Sequence, residues 1–196
     1  RRRRRPGGPA PAAGGEASLN PAPAALPLSE VYGLLEPGPV VLLGTSHRGR
    51  PNLMAMSWHT MLEFEPPLVG CVVSARNFSA AALKATRQAV INVPTVDLAQ
   101  AVVGCGNCSG RDVDKFTAFG LSGLPSRKVD VPRVAQCFAQ LECRLVDTVR
   151  RYELYVLEVV GAWVDPSVEN PRTLHHRGWG AFRVAGRTMR LPSRMR

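Results

Sequence analysis

Two long runs in the second half of the chain, Ala135 to Val149 and Tyr152 to Val164, constrain the fold more than any other stretch. Each is rich in β-branched and apolar residues and is far longer than an ordinary strand of five or six residues. Only Arg150-Arg151 separates them, enough for a bend and too little for a crossover, so the two runs are expected to pair antiparallel. Upstream, Val40 to Thr45 and Pro51 to Trp58 flank an Arg48-Gly49-Arg50 turn and read as a hairpin. Beyond Pro66-Pro67, Leu68 to Val73 is a continuous apolar run expected at the centre of the sheet, and Ala89 to Val93 reads as a further strand. Trp179 to Val184 adds a short one near the end.

Helices are few and brief in this reading. One is expected from Leu28 to Leu35 with Ser29 as its cap, one from Ala80 to Lys84 capped by Asn77 or Ser79, and one from Asp97 to Val103. Six or seven strands with two or three short helices, and no strict βαβ alternation, indicate an α+β domain that is mainly β and built on an antiparallel barrel. Gly120 to Pro132 is turn-rich, and no internal repeat is visible.

At 196 residues and 45% hydrophobic content, the chain can bury one sizeable core. Residues 26–184 are read as that domain, 1–25 as a disordered tail of Arg, Pro, Ala and Gly, and 185–196 as a basic C-terminal tail. The formal charge of +10 sits at the two ends: five arginines open the chain, and seven more follow Glu169 with no acid among them. The segment from Leu26 to Glu169 holds 13 basic and 14 acidic residues. A near-neutral body argues against specific nucleic-acid binding. The opening arginines run into PGGPAPAAGG instead of an apolar stretch, so they are not read as a signal peptide. No apolar run is long enough for a membrane span. The five cysteines are an odd number spread through a core-sized domain, the pattern of reduced thiols in a cytoplasmic protein.

Four motifs bear on chemistry. Gly104-Cys105-Gly106-Asn107-Cys108-Ser109-Gly110 reads as a glycine-rich bend leading into a helix that carries Arg111 and Lys115 one turn apart, a geometry suited to an anion. Its near match to GxGxxG follows a helix where a dinucleotide site requires a strand, so a Rossmann site is excluded. Cys105-x-x-Cys108 stands outside any βαβ pattern and has no second CxxC, which favours a structural reading over a redox or zinc site. No histidine has a partner at ligand spacing, and no nucleophile stands beside an obvious base. In Asn52 to Trp58, small and polar residues interrupt a strand pattern; the segment suits either an edge strand or a surface on which a flat aromatic ligand lies against backbone amides. Ser74 to Ser79 suits either a capped loop or an anion site at a helix N-terminus.

Taken in order, GRPNLMAMSW (49–58), EPPLVGCVVS (65–74), VINVP (90–94), SGRDVDKF (109–116) and AQLECRL (139–145) resemble the flavin reductase-like family, most closely its flavoredoxin-type branch. The likeness runs from about Leu28 to Val184, and SGRDVDKF followed by LEC is its most specific part. It implies the FMN-binding split barrel, an antiparallel split β-barrel, with FMN held non-covalently near a homodimer interface. Carried onto this sequence, Asn52 and Met54, Ala55, Met56, Ser57 and Trp58 would contact the flavin ring and ribityl chain. Ser74, Asn77 and Ser79 would meet the phosphate and Lys115 a cofactor oxygen, with Asn92 a neighbour and Arg111 a contact or an anchor for its own loop. Where the branch often carries a histidine, this chain has Tyr152 after Arg150-Arg151. Trp179 or Phe182 suits either a cover for the ring, from its own or the partner subunit, or a place in the core.

The resemblance implies an FMN-dependent oxidoreductase that takes electrons from NAD(P)H or a redox-protein donor and passes them to a small-molecule or protein acceptor. The cofactor carries the redox chemistry, so no catalytic side chain and no metal ligand is expected. The alternative is a non-enzymatic flavin-binding or electron-transfer module using the same contacts.

Overall fold

The computed structural model describes residues 22–194. The reading of a disordered N-terminal tail therefore lies outside the described residues as far as residue 21, but the ordered chain begins before residue 26: Ala24–Ala25 form a short strand, β1. A 3-10 turn at Leu28–Glu30 and one helical turn, α1 (Tyr32–Leu35), replace the single helix expected there. Pro27 occupies the cap position of the 3-10 turn, which places Ser29 inside it instead of at its start.

The hairpin β2 (Val41–His47) and β3 (Arg50–Met56) follows. Arg48 and Gly49 both have positive φ, 52° and 72°, the two-residue turn whose twist matches that of its flanking strands. Next come β4 (His59–Phe64), β5 (Pro67–Val72), α2 (Phe78–Thr86) and β6 (Gln88–Val93). A 3-10 turn at Val96–Leu98 runs into α3 (Ala99–Asn107), and α4 (Lys115–Ala118) is a single turn. The two-residue strands β7 (Gly123–Leu124) and β8 (Arg133–Val134) pair within the turn-rich stretch. The long pair β9 (Ala139–Val149) and β10 (Leu154–Val164) and a terminal hairpin, β11 (Leu174–Gly178) and β12 (Ala181–Val184), complete the chain.

The main sheet has the order β3-β2-β6-β9-β10-β5-β4, antiparallel at every step, with β1 added to the far end of β10. The path ends on β3 and β4 and does not close, so the barrel is split. The short strands β1, β7 and β8 and the hairpin strand β11 lie where the sequence reading expected none, and two further placements in the main sheet differ from it. His59–Phe64 forms an unexpected strand because its exposed, partly polar sequence suits a sheet edge, and this strand displaces β5 from the centre to second from the edge.

Alternation along the strands divides the core in two. Val41 and Leu43 of β2 face a cluster with Ile91, Leu141, Leu157 and Leu83 of α2, while Leu42 faces a second cluster with Leu53, Val102 and Cys105 beneath α3. A strand apolar on both faces is what the uninterrupted Val40 to Leu43 run encodes. In β10 a bulge between Val159 and Gly161 shifts the alternation, so that Tyr155, Leu157 and Val159 are followed into the core by Ala162.

Asn92 belongs to this framework. Fully buried on β6, it donates from Nδ2 to the Leu42 carbonyl at 3.0 Å and accepts from the Val134 amide at 2.8 Å, pinning β8 to the sheet. It is absent from the lining of the cleft described below. Asn92→Ala leaves the buried Val134 amide without its acceptor and is expected to lower the unfolding free energy by about 1–3 kcal/mol in urea titrations of the apo protein.

His59 supplies a pH dependence. Its Nε2 meets the Pro39 carbonyl at 2.7 Å, and burial holds its pKa below the usual imidazole value. The unfolded chain therefore binds the proton more readily, and this residue's contribution to stability falls as pH drops from about 7 through the unfolded imidazole value toward the lower folded one. In apo-protein melts, His59→Gln should flatten the Tm-against-pH curve over that interval.

Candidate functional site

Between the end of β3, the loop from β5 to α2 and the end of α3 lies a cleft of about 610 Å³, within the usual range for small-ligand sites. Its first wall is strand β3 and its continuation: Asn52, Met54, Ala55, Met56, Ser57 and Trp58 all line it. Trp58 stands at the rim and is 72% exposed.

The second wall is built by Ser74, Arg76, Asn77, Phe78 and Ser79. Asn77 occupies the N-cap position of α2 in an extended conformation and makes no side-chain capping bond; its backbone amide donates to the Ser74 carbonyl and its carbonyl accepts from the Ala80 amide, which leaves the Phe78 and Ser79 amides for another partner. Glu153 fixes this loop. It sits in the left-handed region at φ 51°, its carboxylate accepts from the Ala75 amide at 2.6 Å, and its carbonyl accepts from the Val73 amide at 3.0 Å. The neighbouring Tyr152 is 62% exposed and does not line the cleft.

The third wall corrects the sequence reading of the glycine-rich segment. Gly104, Cys105, Gly106 and Asn107 are the last residues of α3, not a bend, and the turn comes later, where the Ser109 carbonyl accepts from the Asp112 and Val113 amides. Tertiary packing overrides the helix cost of glycine of about 1 kcal/mol. A Cβ on Gly104 would strike the Phe119 ring. Cys105 is buried in the core beneath α3, and its thiol is pushed up to about 11 by burial. Cys108 Sγ donates to the Gly104 carbonyl at 3.2 Å. Among the described residues, no group of three or more His, Cys, Asp or Glu side chains is placed to hold a metal ion.

Lys115 closes the cleft from below. Asp114 caps α4 by accepting from the Phe116 and Thr117 amides and from Thr117 Oγ1, and these bonds, the hydroxyl first, hold its pKa below the usual carboxylate value. The cap directs Lys115, 4% exposed, inward, where Nζ donates to the Leu53 carbonyl at 2.7 Å and the Cys105 carbonyl at 2.6 Å. An ammonium group carries three N–H bonds, so one remains for a ligand. Burial lowers its pKa from the ordinary lysine value.

Arg111 is not placed one turn before Lys115 on a shared helix, because α4 begins at Lys115. Arg111 is exposed, its guanidinium lies 5.8 Å from the Phe78 ring centroid, and its carbonyl accepts from Arg50 at 3.4 Å. The carbonyl contact in this loop therefore runs from Arg50 to Arg111. Sequence reasoning overlooked Arg76 and Glu153 as site residues. Arg76 lay inside a flagged segment, but Glu153 acts through a loop brought from a distant strand and had no local signal.

One buried atom at the cleft stands out. Asn52 Nδ2 donates to Ser79 Oγ at 2.8 Å, yet among the described residues Asn52 Oδ1 has no partner. It lies against Gly110, where any Cβ would collide with it. Glycine at 110 keeps this acceptor available beside the cleft.

Residues 34–183 match the model of the flavin reductase like domain, and the chain belongs to that family. It is 32% identical over 170 residues to the uncharacterized protein YddH of Escherichia coli K12, covering 79% of this chain and 90% of that one. In three dimensions it is similar to an FMN-binding domain of a flavin reductases-like enzyme from Shewanella baltica, with 30% identity, a TM-score of 0.83 and coverage of 89% and 100% of the two chains. The flavoredoxin of Desulfovibrio vulgaris has the same fold at 22% identity, with a TM-score of 0.74 over 79% and 90%. The antiparallel split barrel expected from the sequence is thus the fold of the family.

The cleft separates the effects of two neighbouring residues. Lys115→Met removes an ammonium donor and should weaken FMN retention by roughly 1.5–3 kcal/mol, while Cys108→Ser, whose Sγ engages only the helix carbonyl, should leave it nearly unchanged. Fluorescence titration of the apo variants with FMN checks the pair, and equal losses would remove Lys115 from the site.

Proposed function

We propose that the cleft binds FMN and that the chain is an FMN-dependent oxidoreductase of the flavin reductase type. The observation that carries this reading is convergence: of the residues that the resemblance assigns to the cofactor, all but Asn92 and Arg111 line one cleft. They come from β3, the loop after β5, and the α3–α4 region, so their meeting is a product of the fold.

The residues present fit the group. The orphaned Asn52 Oδ1 accepts a polar hydrogen of the ligand, and the third N–H of Lys115 meets a ligand oxygen. The free end of α2 with Arg76 suits a dianionic phosphate, because helix amides and a guanidinium both favour negative charge. Met54, Ala55 and Met56 offer an apolar bed for the ring. When bound, FMN supplies the electron-transfer chemistry. The protein binds and orients it. Lys115 sets a positive charge beneath it, favouring an anionic form.

Electrons arrive from NAD(P)H or a redox protein and leave to a small-molecule or protein acceptor. The working unit is a homodimer: Trp58 is exposed at the rim of the cleft, next to the unpaired edge of β3, where a second copy would cover it. The compartment we propose is the cytoplasm, where free thiols such as those of Cys71, Cys105, Cys108, Cys137 and Cys143 persist.

Titration with FMN should give a protein-bound flavin spectrum, sedimentation a dimer, and NAD(P)H oxidation turnover with an added acceptor. A protein that takes up no FMN defeats the reading. One that holds FMN but turns over neither nucleotide is the electron-transfer module instead.

A further inference from the structure

Beside the cleft lies a second cavity of about 280 Å³, formed where the β11–β12 hairpin folds over the ends of β3 and α3. The two share one wall, Ala55, Met56 and Ser57 of the strand with Gly106 and Asn107 of the helix. The opposite wall comes from the hairpin. His176 and Phe182 are directly paired across it, their rings 5.2 Å apart and tilted by 50°. Three successive residues with positive φ, Gly178, Trp179 and Gly180, turn the hairpin tightly enough for both rings to stand over the cavity. Trp179, a candidate cover in the sequence reading, is fully exposed at the tip and lines neither space, whereas Phe182 lines this one.

The chemistry of the lining differs sharply from that of the cleft. Val40, Val102, Val103, Met56 and Phe182 give apolar contact, and no Lys, Arg, Asp or Glu takes part. Ser57, Asn107 and His176 are the polar side chains of this lining, and among the described residues none of the three side chains has a hydrogen-bond partner. An anion such as a ferric chelate or a second flavin phosphate would find no counter-charge from Lys or Arg in this lining. The volume suits a single ring.

We propose that this cavity is the acceptor subsite, and that it takes an uncharged, single-ring quinone, which gains two electrons, supplied by the NAD(P)H or redox-protein donor, and two protons and leaves as the hydroquinone; substrate and product share the ring and its two oxygens, so the hydroquinone probes the same site. The ring packs between Phe182 and the valines, and its oxygens meet Ser57, Asn107 or His176. This rests on the flavin ring lying along Ala55 to Ser57, because the shared wall then sets the two ligands side by side.

The test uses FMN-loaded protein and hydroquinone as the probe, with binding read by equilibrium dialysis and by change in the visible flavin spectrum. Val103→Phe narrows the cavity from α3 and Phe182→Ala removes its hairpin wall; neither residue lines the cleft. Each should weaken hydroquinone binding about tenfold or more while FMN affinity stays within about twofold. Hydroquinone sulfonate, the charged analogue, should bind at least about tenfold more weakly than hydroquinone to the wild type. If Val103→Phe does not fold, Phe182→Ala, outside the main sheet, decides the matter. Unchanged hydroquinone affinity in the folded variants overturns the proposal, as do equal binding of the sulfonate and absence of hydroquinone binding by FMN-loaded wild type. Failure to take up FMN at all would instead defeat the cofactor reading.

Discussion

The bonds from Lys115 to the carbonyls of Leu53 and Cys105 hold the site together. One carbonyl belongs to an edge strand that, among the described residues, pairs with no strand on its outer side, the other to the last turn of a helix, and nothing in the sheet ladder fixes the distance between them. A buried ammonium that donates to both sets that distance. Either carbonyl left unpaired would cost about 1–3 kcal/mol, so the clamp is enforced by the penalty of its absence. The lysine is itself held by a helix of only four residues, too short to persist on its own. Asp114 compensates by capping it, and Phe116 anchors it in the core beneath α3. Four positions of SGRDVDKF thus act as one device: Gly110 gives room to Asn52, Asp114 starts the turn, Lys115 clamps strand to helix and Phe116 fastens it.

Much of the sheet was legible because it is written in local terms. The long runs of β9 and β10 are β-branched and apolar beyond any helical period, and the Arg48-Gly49 turn announces the first hairpin. What was misread depended on distant partners. Nothing in Gly104 to Asn107 reports that the Phe119 ring packs against the helix there, so the glycines looked like a bend. Strand β4 carries the mixed pattern of a sheet edge and is recognisable only from its pairing with β5.

The candidate site divides along the same line. Residues whose type announces a role, such as the small and polar positions of Asn52 to Trp58, fall together in the cleft. Asn92 and Arg111 show the opposite case. An asparagine in a strand and an arginine in a loop are equally plausible as ligand contacts from sequence, but one is consumed by three backbone partners and the other lies over Phe78. Glu153 joins the cleft only because β10 pairs with β5 and carries the preceding turn to the loop after it.

The shared wall gives the helix glycines a reason beyond packing. A Cβ placed on Gly106 would sit 3.5 Å from the Cβ of Ala55, so the boundary between the charged cleft and the uncharged cavity is formed by two of the smallest side chains available. Larger residues at either position would extend into that boundary and thicken the partition. Glycine inside a helix costs about 1 kcal/mol relative to alanine, and a chain selected for stability alone would have little reason to carry it beside an alanine on an edge strand. The pairing is accounted for if two ligands must approach each other across that strand. On the proposed acceptor subsite, the turn-like composition that misled the reading of secondary structure would record a functional constraint, the close approach of two ligands.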